Sequence, residues 1–454
     1  MPNNDFISSI TQNLQLSRNS LKNKYGLNFN PFPKSGIAVI DEADDIVSRL
    51  SPVTDKTSRT IVEYIRDALG KNSRPGDRDN LSLLIRGDYG TGKTQTLMFL
   101  KYLLKNINVD GFKPYVVYID NPGQKFSDIV GNIVSQVGME NFRRYLWEEF
   151  WRYLNETNKE GTTTRDTLTN EIKGILRGTR TQLDLFPNEI NKKISGISSD
   201  TTSYKYMYDS LVEGLSSTLQ KQISNVFKKY MINCFSSEYD VSVIAEYFYD
   251  IVSNSIGVNK SWNLMVRGNM GDIDKREVNI LNAVVAIVQK YESCTHFIML
   301  VDEFEEITVD RVKAIDKDNY FRNLRTFIDR DKHWSCVFAM TGKAFEMIET
   351  YSPPLSERIA DRKIDLLPLN ASTLKIMLGN YLSLARDSHS TELSPFDETA
   401  IDALLATKDS SLQGSPRFIL KSCYQLLQRA VEEQDTVKID AAFIKKYLSD
   451  SVKQ

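Results

Sequence analysis

Histidine and cysteine are scarce in this chain: three histidines and four cysteines among 454 residues. Cys234, Cys294, Cys336 and Cys423 stand far apart with no C-x-x-C pair, and His296, His333 and His389 do not complement them. That excludes a structural zinc site built on Cys/His spacing. It predicts four reduced thiols in a cytoplasmic protein, not a disulfide framework. No run of about 18 apolar residues occurs, so no membrane-spanning helix is expected. The opening MPNNDFISSITQ lacks the charged-then-apolar order of a secretory leader. An excess of one charge is also missing: 57 Lys and Arg face 59 Asp and Glu, for a net charge of −2. A surface that holds nucleic acid by bulk charge is excluded, while a local basic stripe stays open.

What is present is an ordinary globular balance, 41% apolar and 26% charged, over a length that predicts two or three domains. Residues 1–80 form a polar lead-in holding Tyr25-Gly26-Leu27-Asn28-Phe29-Asn30-Pro31-Phe32 and a helical pattern over 51–69; KNSRPGDRDN at 71–80 reads as a loop. Residues 81–86 (LSLLIR) and 113–120 (KPYVVYID) predict strands, while 94–104 and 126–137 predict helices. This βαβα order implies a parallel sheet covered by helices. From 139 to 292 the texture becomes helical. The run Leu211, Leu215, Leu219, Ile223, Phe227 and Tyr230 predicts a long amphipathic helix, and SGISSDTT at 195–202 a loop. Strand texture returns at FIMLV (297–301) and CVFAM (336–340), with a short last strand at 364–367. Residues 370–454 read as helices punctuated at Ser394-Pro395 and Gly414-Ser415-Pro416. The expected domains are therefore a lead-in (1–80), an α/β core (81–138 and 293–369), a helical insertion (139–292) and a helical lid (370–454).

Two motifs carry chemistry. Gly87-Asp88-Tyr89-Gly90-Thr91-Gly92-Lys93-Thr94 matches G-x-x-x-x-G-K-S/T between a predicted strand and a predicted helix. Glycines let backbone N–H groups curl round phosphates, and the helix turns its positive end toward them. Lys93 is expected to reach the β- and γ-phosphates and the Thr94 hydroxyl to ligate magnesium, so ATP and Mg2+ are the expected ligands. The second motif is an apolar strand ending in Asp302-Glu303. Asp302 is expected to hold the magnesium, and Glu303 to orient the attacking water. Glu305 and Glu306 read as the solvated start of a helix.

With these motifs the chain resembles the AAA+ P-loop ATPases. The resemblance implies further roles. Thr341, ending CVFAMT, matches the polar residue that senses the γ-phosphate. Arg358 in Pro354-Leu355-Ser356-Glu357-Arg358, with Arg362 as the alternative, matches the finger that reaches a neighbouring subunit's nucleotide. Arg417 in Gly414-Ser415-Pro416-Arg417 matches the lid arginine. The lead-in around Tyr25–Phe32 and the phrase from Pro395 to Ala430 are similar to the clade of origin-recognition initiators, transposition-regulator ATPases and STAND-like ATPases. Leu264-Met265-Val266-Arg267-Gly268 is similar to ATPases of BREX-type anti-phage systems. The interval between Lys93 and Asp302 is far longer than the family's usual one.

Two functions follow as expectations. One is an oligomeric ATPase, a ring or filament, that works as a motor or loader on DNA or on a partner protein recruited by the insertion, in anti-phage defence or mobile-element biology. The other is a nucleotide-dependent switch or scaffold with slow hydrolysis. Arg322, Arg325 and Arg330, interleaved with aromatics, read either as a nucleic-acid-facing stripe or as a solvated helix face. Phe142, Tyr145, Trp147, Phe150, Trp151 and Tyr153 read either as a docking surface or as core.

Overall fold

The computed structural model describes residues 21–37, 44–50, 54–68, 82–157, 161–176, 212–239, 242–253, 262–263, 276–330, 334–388, 390–406, 413–433 and 436–448. The loops expected at 71–80 and 195–202, the Leu264–Gly268 phrase, Leu211, His333 and His389 lie outside them.

The fold is α/β. Five strands, β1 (Ser82–Arg86), β2 (Pro114–Ile119), β3 (His296–Val301), β4 (Trp334–Met340) and β5 (Arg362–Asp365), form one parallel sheet in the order β2-β3-β4-β1-β5. β1 pairs parallel with both β4, where Ser82 faces Cys336, and β5, where Leu83 faces Arg362. A parallel strand is covered on both faces, so its apolar residues run on without alternating. Leu83, Leu84 and Ile85 are accordingly fully buried, as is all of β4. The last strand lies two residues before the expected 364–367: Leu366 donates one more bond to the Arg86 carbonyl (2.7 Å), and Leu367 is already 75% exposed.

The chain divides into two compact units, Met1–Val109 with Ile298–Val309 and Asp331–Gln454, and Asp110–Phe297 with Asp310–Arg330. In the first, α1 (Asp44–Arg49) and α2 (Asp55–Ala68) precede β1, and α3 (Lys93–Asn106) follows it. The second carries α4 (Phe126–Val137), α5 (Met139–Leu154), α6 (Thr164–Ile175), α7 (Ser217–Tyr239), α8 (Ser242–Ser253), α9 (Arg276–Glu292) and α10 (Ala314–Arg330). The first unit then resumes with α11 (Gly342–Tyr351), α12 (Pro353–Ile359), α13 (Ala371–Leu384), α14 (Glu398–Leu405), α15 (Pro416–Glu432) and α16 (Ala441–Leu448).

Compactness groups the elements differently from the expected boundaries. β2 and α4 group with the helical block, because α9 packs against both α4 and α5, and α10 too falls with it. The described part of the lead-in is no separate segment: Leu21, Tyr25, Leu27, Phe32 and Leu50 complete the apolar core of the lid helices α13–α16. Polar bonds fix that docking. Tyr25 Oη donates to the Thr436 carbonyl (2.7 Å), Lys24 to Ala430 O (2.8 Å), and Asn28 N to Ala385 O (2.7 Å).

The second unit, in its described residues, is helical through 139–292 apart from one antiparallel bridge between Thr157 and Thr163. The aromatic run of α5 resolves as core in Phe142, Tyr145, Trp147 and Phe150; Phe142 meets Phe248 edge-on at 5.3 Å. Inside this core Glu149 is fully buried, and Arg152, Lys290 (2.8 Å) and the Tyr291 hydroxyl satisfy it. The long amphipathic helix begins at Ser217, after Leu215, because Gly214 takes a left-handed conformation (φ 75°) that ends the preceding turn. On α10, Arg322 bonds Asn319 (2.6 Å) and Arg325 lies 3.9 Å from Asp329, while Tyr320, Leu324 and Phe327 are buried.

Phe32 is 2% exposed and packs on Tyr381 (5.9 Å) and Phe396 (5.8 Å). Phe32→Ala is therefore expected to lower stability by about 3–5 kcal/mol, as large-to-small core changes do. Chemical denaturation checks this; a loss under about 1 kcal/mol would mean that the lead-in is only loosely docked on the lid.

Candidate functional site

In open parallel sheets, ligands collect where strands end. Here β1, β3, β4 and β5 end at Arg86, Val301, Met340 and Asp365, and the next residues are Gly87, Asp302, Thr341 and Leu366. Between β1 and α3 the chain makes a tight loop in which Gly90 (φ 79°) and Gly92 (φ 97°) adopt conformations open to glycine. Gly90 is also needed for space: a Cβ there would stand 2.9 Å from both the Arg417 Cβ and the Ser415 Oγ. The Arg417 N–H donates to the Gly90 carbonyl (3.2 Å), so the Gly414–Arg417 turn of the lid is tied directly to the loop. Thr91 Oγ1 donates to Asp88 O (2.8 Å), and Tyr89 stands 73% exposed with Lys93 Nζ 5.3 Å from its ring centre.

Lys93 and Thr94 open α3 and point to different partners. The Lys93 ammonium is 8% exposed and donates to the carbonyls of Gly87 (3.0 Å) and Asp88 (3.3 Å). The Thr94 hydroxyl donates to Asp302 Oδ2 at 2.6 Å, joining residues 208 positions apart. Asp302 is 3% exposed, and its other oxygen accepts the Glu303 N–H (2.9 Å). Glu303 is exposed and sits in the left-handed region (φ 49°, ψ 36°), a strain of roughly 1–2 kcal/mol for a residue with a Cβ. Glu305 departs from expectation. It belongs to a 3-10 turn (Phe304–Ile307), is 8% exposed and lies 4.0 Å from Lys93 Nζ, so it is not a solvated acid. Nothing in the string EFEE distinguishes Glu305 from Glu306; the 3-10 turn does, by rolling Glu305 inward.

The remaining expected residues separate. Thr341 is buried and N-caps α11, its Oγ1 accepting the Ala344 N–H at 3.3 Å. Arg417 is exposed and lines the cavity above the loop. Arg358, on the last turn of α12, donates to the Pro354 carbonyl (2.8 Å) and does not line the cavity. Arg362, the alternative, is held by Asp67 and by Glu63 (3.9 Å) of α2.

The cavity is about 750 Å³, the size of a small-molecule site. Gly87–Thr94, Asp302, Glu303 and Glu305 line it, together with Ile37, Leu50 and Thr57 of the lead-in and Met377, Tyr381 and Leu420 of the lid. The sequence motifs did not reveal these lead-in and lid residues, which are mostly apolar. One hydroxyl and one carboxylate in contact suit a hard cation that keeps most of its ligands as water and phosphate oxygen, as magnesium does. No group of three or more His, Cys, Asp or Glu side chains converges among the described residues, so no all-protein metal cage is built there. No protein-family model matches the chain, and no curated protein matches it. No helix among the described residues is long and apolar enough to cross a membrane.

Burial raises the Glu305 pKa above its ordinary value of 4.5, Lys93 opposes this, and Asp302 and Glu303 add to it. A carboxyl that binds its proton more tightly when folded contributes stability that is complete below its unfolded value. That contribution is lost as pH rises through the raised one. Between pH 4 and pH 7 the thermal midpoint of the wild type is therefore expected to fall relative to that of Glu305→Gln. Parallel midpoint curves would show that Glu305 titrates as a solvated acid.

Proposed function

We propose that this protein binds ATP with magnesium and hydrolyses it, on a P-loop core of AAA+ type. The observation that carries the reading is the 2.6 Å contact of Thr94 with Asp302, made beside a glycine loop whose carbonyls hold the Lys93 ammonium. Two distant motifs, each weak alone, meet where phosphate and metal chemistry would need them. Loop N–H groups and the start of α3 would cradle the phosphates, and Lys93 would turn to the β- and γ-oxygens. Thr94 and Asp302 would hold the magnesium, which when bound supplies positive charge to the phosphate oxygens. Glu303, exposed at the cavity and fixed by its strained backbone, would orient the attacking water. Thr341 would steady that end of the sheet, and Arg417 would bring positive charge from the lid. Positioning and charge, more than covalent chemistry, would carry the reaction.

On this reading the working form would be an oligomer, in which Arg358, which does not line its own chain's cavity, would serve a neighbouring copy. An assembly of this kind, acting on DNA or on a protein held by the helical unit, is the functional setting we favour over a slow switch. The strained, cavity-facing Glu303 suits turnover better than mere occupancy.

Lys93→Ala is expected to abolish ATP binding measured by calorimetry; unchanged affinity in a folded variant would remove the P-loop reading. Glu303→Gln is expected to bind ATP yet hydrolyse it at least about tenfold more slowly. A wild-type rate would place the base elsewhere.

Arg358→Ala is expected to keep ATP binding and to lose on the order of 10³-fold in turnover. Mixing it with Lys93→Ala subunits is expected to restore activity, because one interface then contains one complete site. No recovery, with a wild-type rate per subunit that does not depend on concentration, would mean that each chain works alone. Measuring the wild-type rate with and without duplex DNA tests the DNA half of the setting directly.

A further inference from the structure

Lys93 and Glu305 stand in a relation that the proposed chemistry does not use. The Lys93 ammonium has three protons to donate. Two directions are taken by the Gly87 and Asp88 carbonyls, and the Glu305 Oε1 lies 4.0 Å away. The other Glu305 oxygen, Oε2, is buried with no hydrogen-bond partner, and the side chain is nine-tenths buried on the cavity wall. Leaving a buried carboxylate oxygen unpartnered opposes folding, so the position is not explained by stability. Its surroundings add to the cost, since Asp302 and Glu303 repel its charge.

We propose that Glu305 is an internal rival to phosphate for Lys93: a positioning residue that holds the lysine within the loop and thereby weakens the grip on polyphosphate. This rests on the P-loop reading above. A β-phosphate reaching Lys93 meets an ammonium already facing a carboxylate 4.0 Å away, and that carboxylate repels the incoming anion. The effect is confined to ligands that engage Lys93. ATP and ADP carry a β-phosphate and AMP does not, so the rivalry discriminates by phosphate number. It also favours product release, because Glu305 stands ready to take back the lysine as the polyphosphate leaves.

Calorimetric titration of the full-length protein at pH 8 with ATP, ADP and AMP, in the presence of magnesium, tests this. Glu305→Gln is expected to tighten ATP and ADP by about tenfold, the scale of one close charge pair. AMP affinity should not change, and ADP should dissociate correspondingly more slowly. Glu305→Ala, which removes the same charge with a different side chain, is expected to give the same gain. Glu306→Gln, which removes a neighbouring charge not paired with Lys93, is expected to give little. Equal or weaker ATP affinity in both Glu305 variants would overturn the proposal, as would equal tightening by Glu306→Gln or equal tightening of AMP. A wild type that binds none of the three nucleotides would overturn the P-loop reading itself. A wild type that binds them, with Glu305 variants that do not tighten, would overturn only the rivalry.

Discussion

Parallel pairing of β1 with β4 and β5 is the constraint on which the site depends. Because the strands run the same way, their ends emerge at one edge of the sheet, and the residues following them must meet there. Gly87 and Thr341 follow strands that share register through Arg86 and Met340, and the Gly87 N–H still bonds the Met340 carbonyl at 3.2 Å. Reversing one strand would carry its terminal residue to the far edge and dissolve the site without altering a single side chain. The sheet tolerates no slippage either, since Leu83 to Ile85 are buried on both faces and any shift would move Arg86 toward the core.

A second tie runs from this edge to the lid. Gly36 and Gly90 both approach the Arg417 segment more closely than a Cβ would allow: at Gly36 a Cβ would lie 2.3 Å from the Arg417 carbonyl oxygen. Lead-in, loop and lid are thus packed backbone to backbone. Under the proposed function, Lys93 turning away from the Gly87 carbonyl would disturb Gly90 and hence the Arg417 N–H that bonds it. This is a short mechanical route by which occupancy of the site could be read by the lid, and it runs through hydrogen bonds within one compact unit.

The motifs at this edge were legible in the sequence because their chemistry is local. Glycines at fixed offsets before Lys93-Thr94, and an apolar strand running into Asp302, each declare a turn or a strand end within eight residues. The strands were legible for a similar reason: FIMLV and CVFAM are unbroken apolar runs that only a doubly covered strand accommodates at that length. What escaped was set by tertiary packing. Tyr25, Leu27 and Phe32 look like a polar segment with a few aromatics until the lid core accepts them. Glu305 and Glu306 are the same residue type side by side, and only the left-handed step at Glu303 and the following 3-10 turn send one inward. The grouping of β2 and α4 with the helical block was hidden because it depends on α9, more than a hundred residues later.

Charge in the cavity bears on how such a site can hold an anion. Five basic side chains (Lys56, Arg86, Lys93, Lys363, Arg417) and five acidic ones (Asp88, Asp302, Glu303, Glu305, Asp365) line it, so the wall is formally neutral. Several of these charges already balance one another, Arg86 with Asp365 at 2.7 Å and Lys93 with Glu305 at 4.0 Å. A polyphosphate entering under the proposed function would therefore find little net attraction from side chains. Its charge would have to be met by the loop N–H groups and the α3 dipole, by a divalent cation on Thr94 and Asp302, and by positive charge from outside the chain. A neutral wall makes each of these contributions necessary. Under the proposed function it would tie strong binding to the presence of the metal, and full neutralisation of the developing charge to a neighbour's arginine. On the same reading, a site built this way would stay quiet as a lone chain and become competent on assembly.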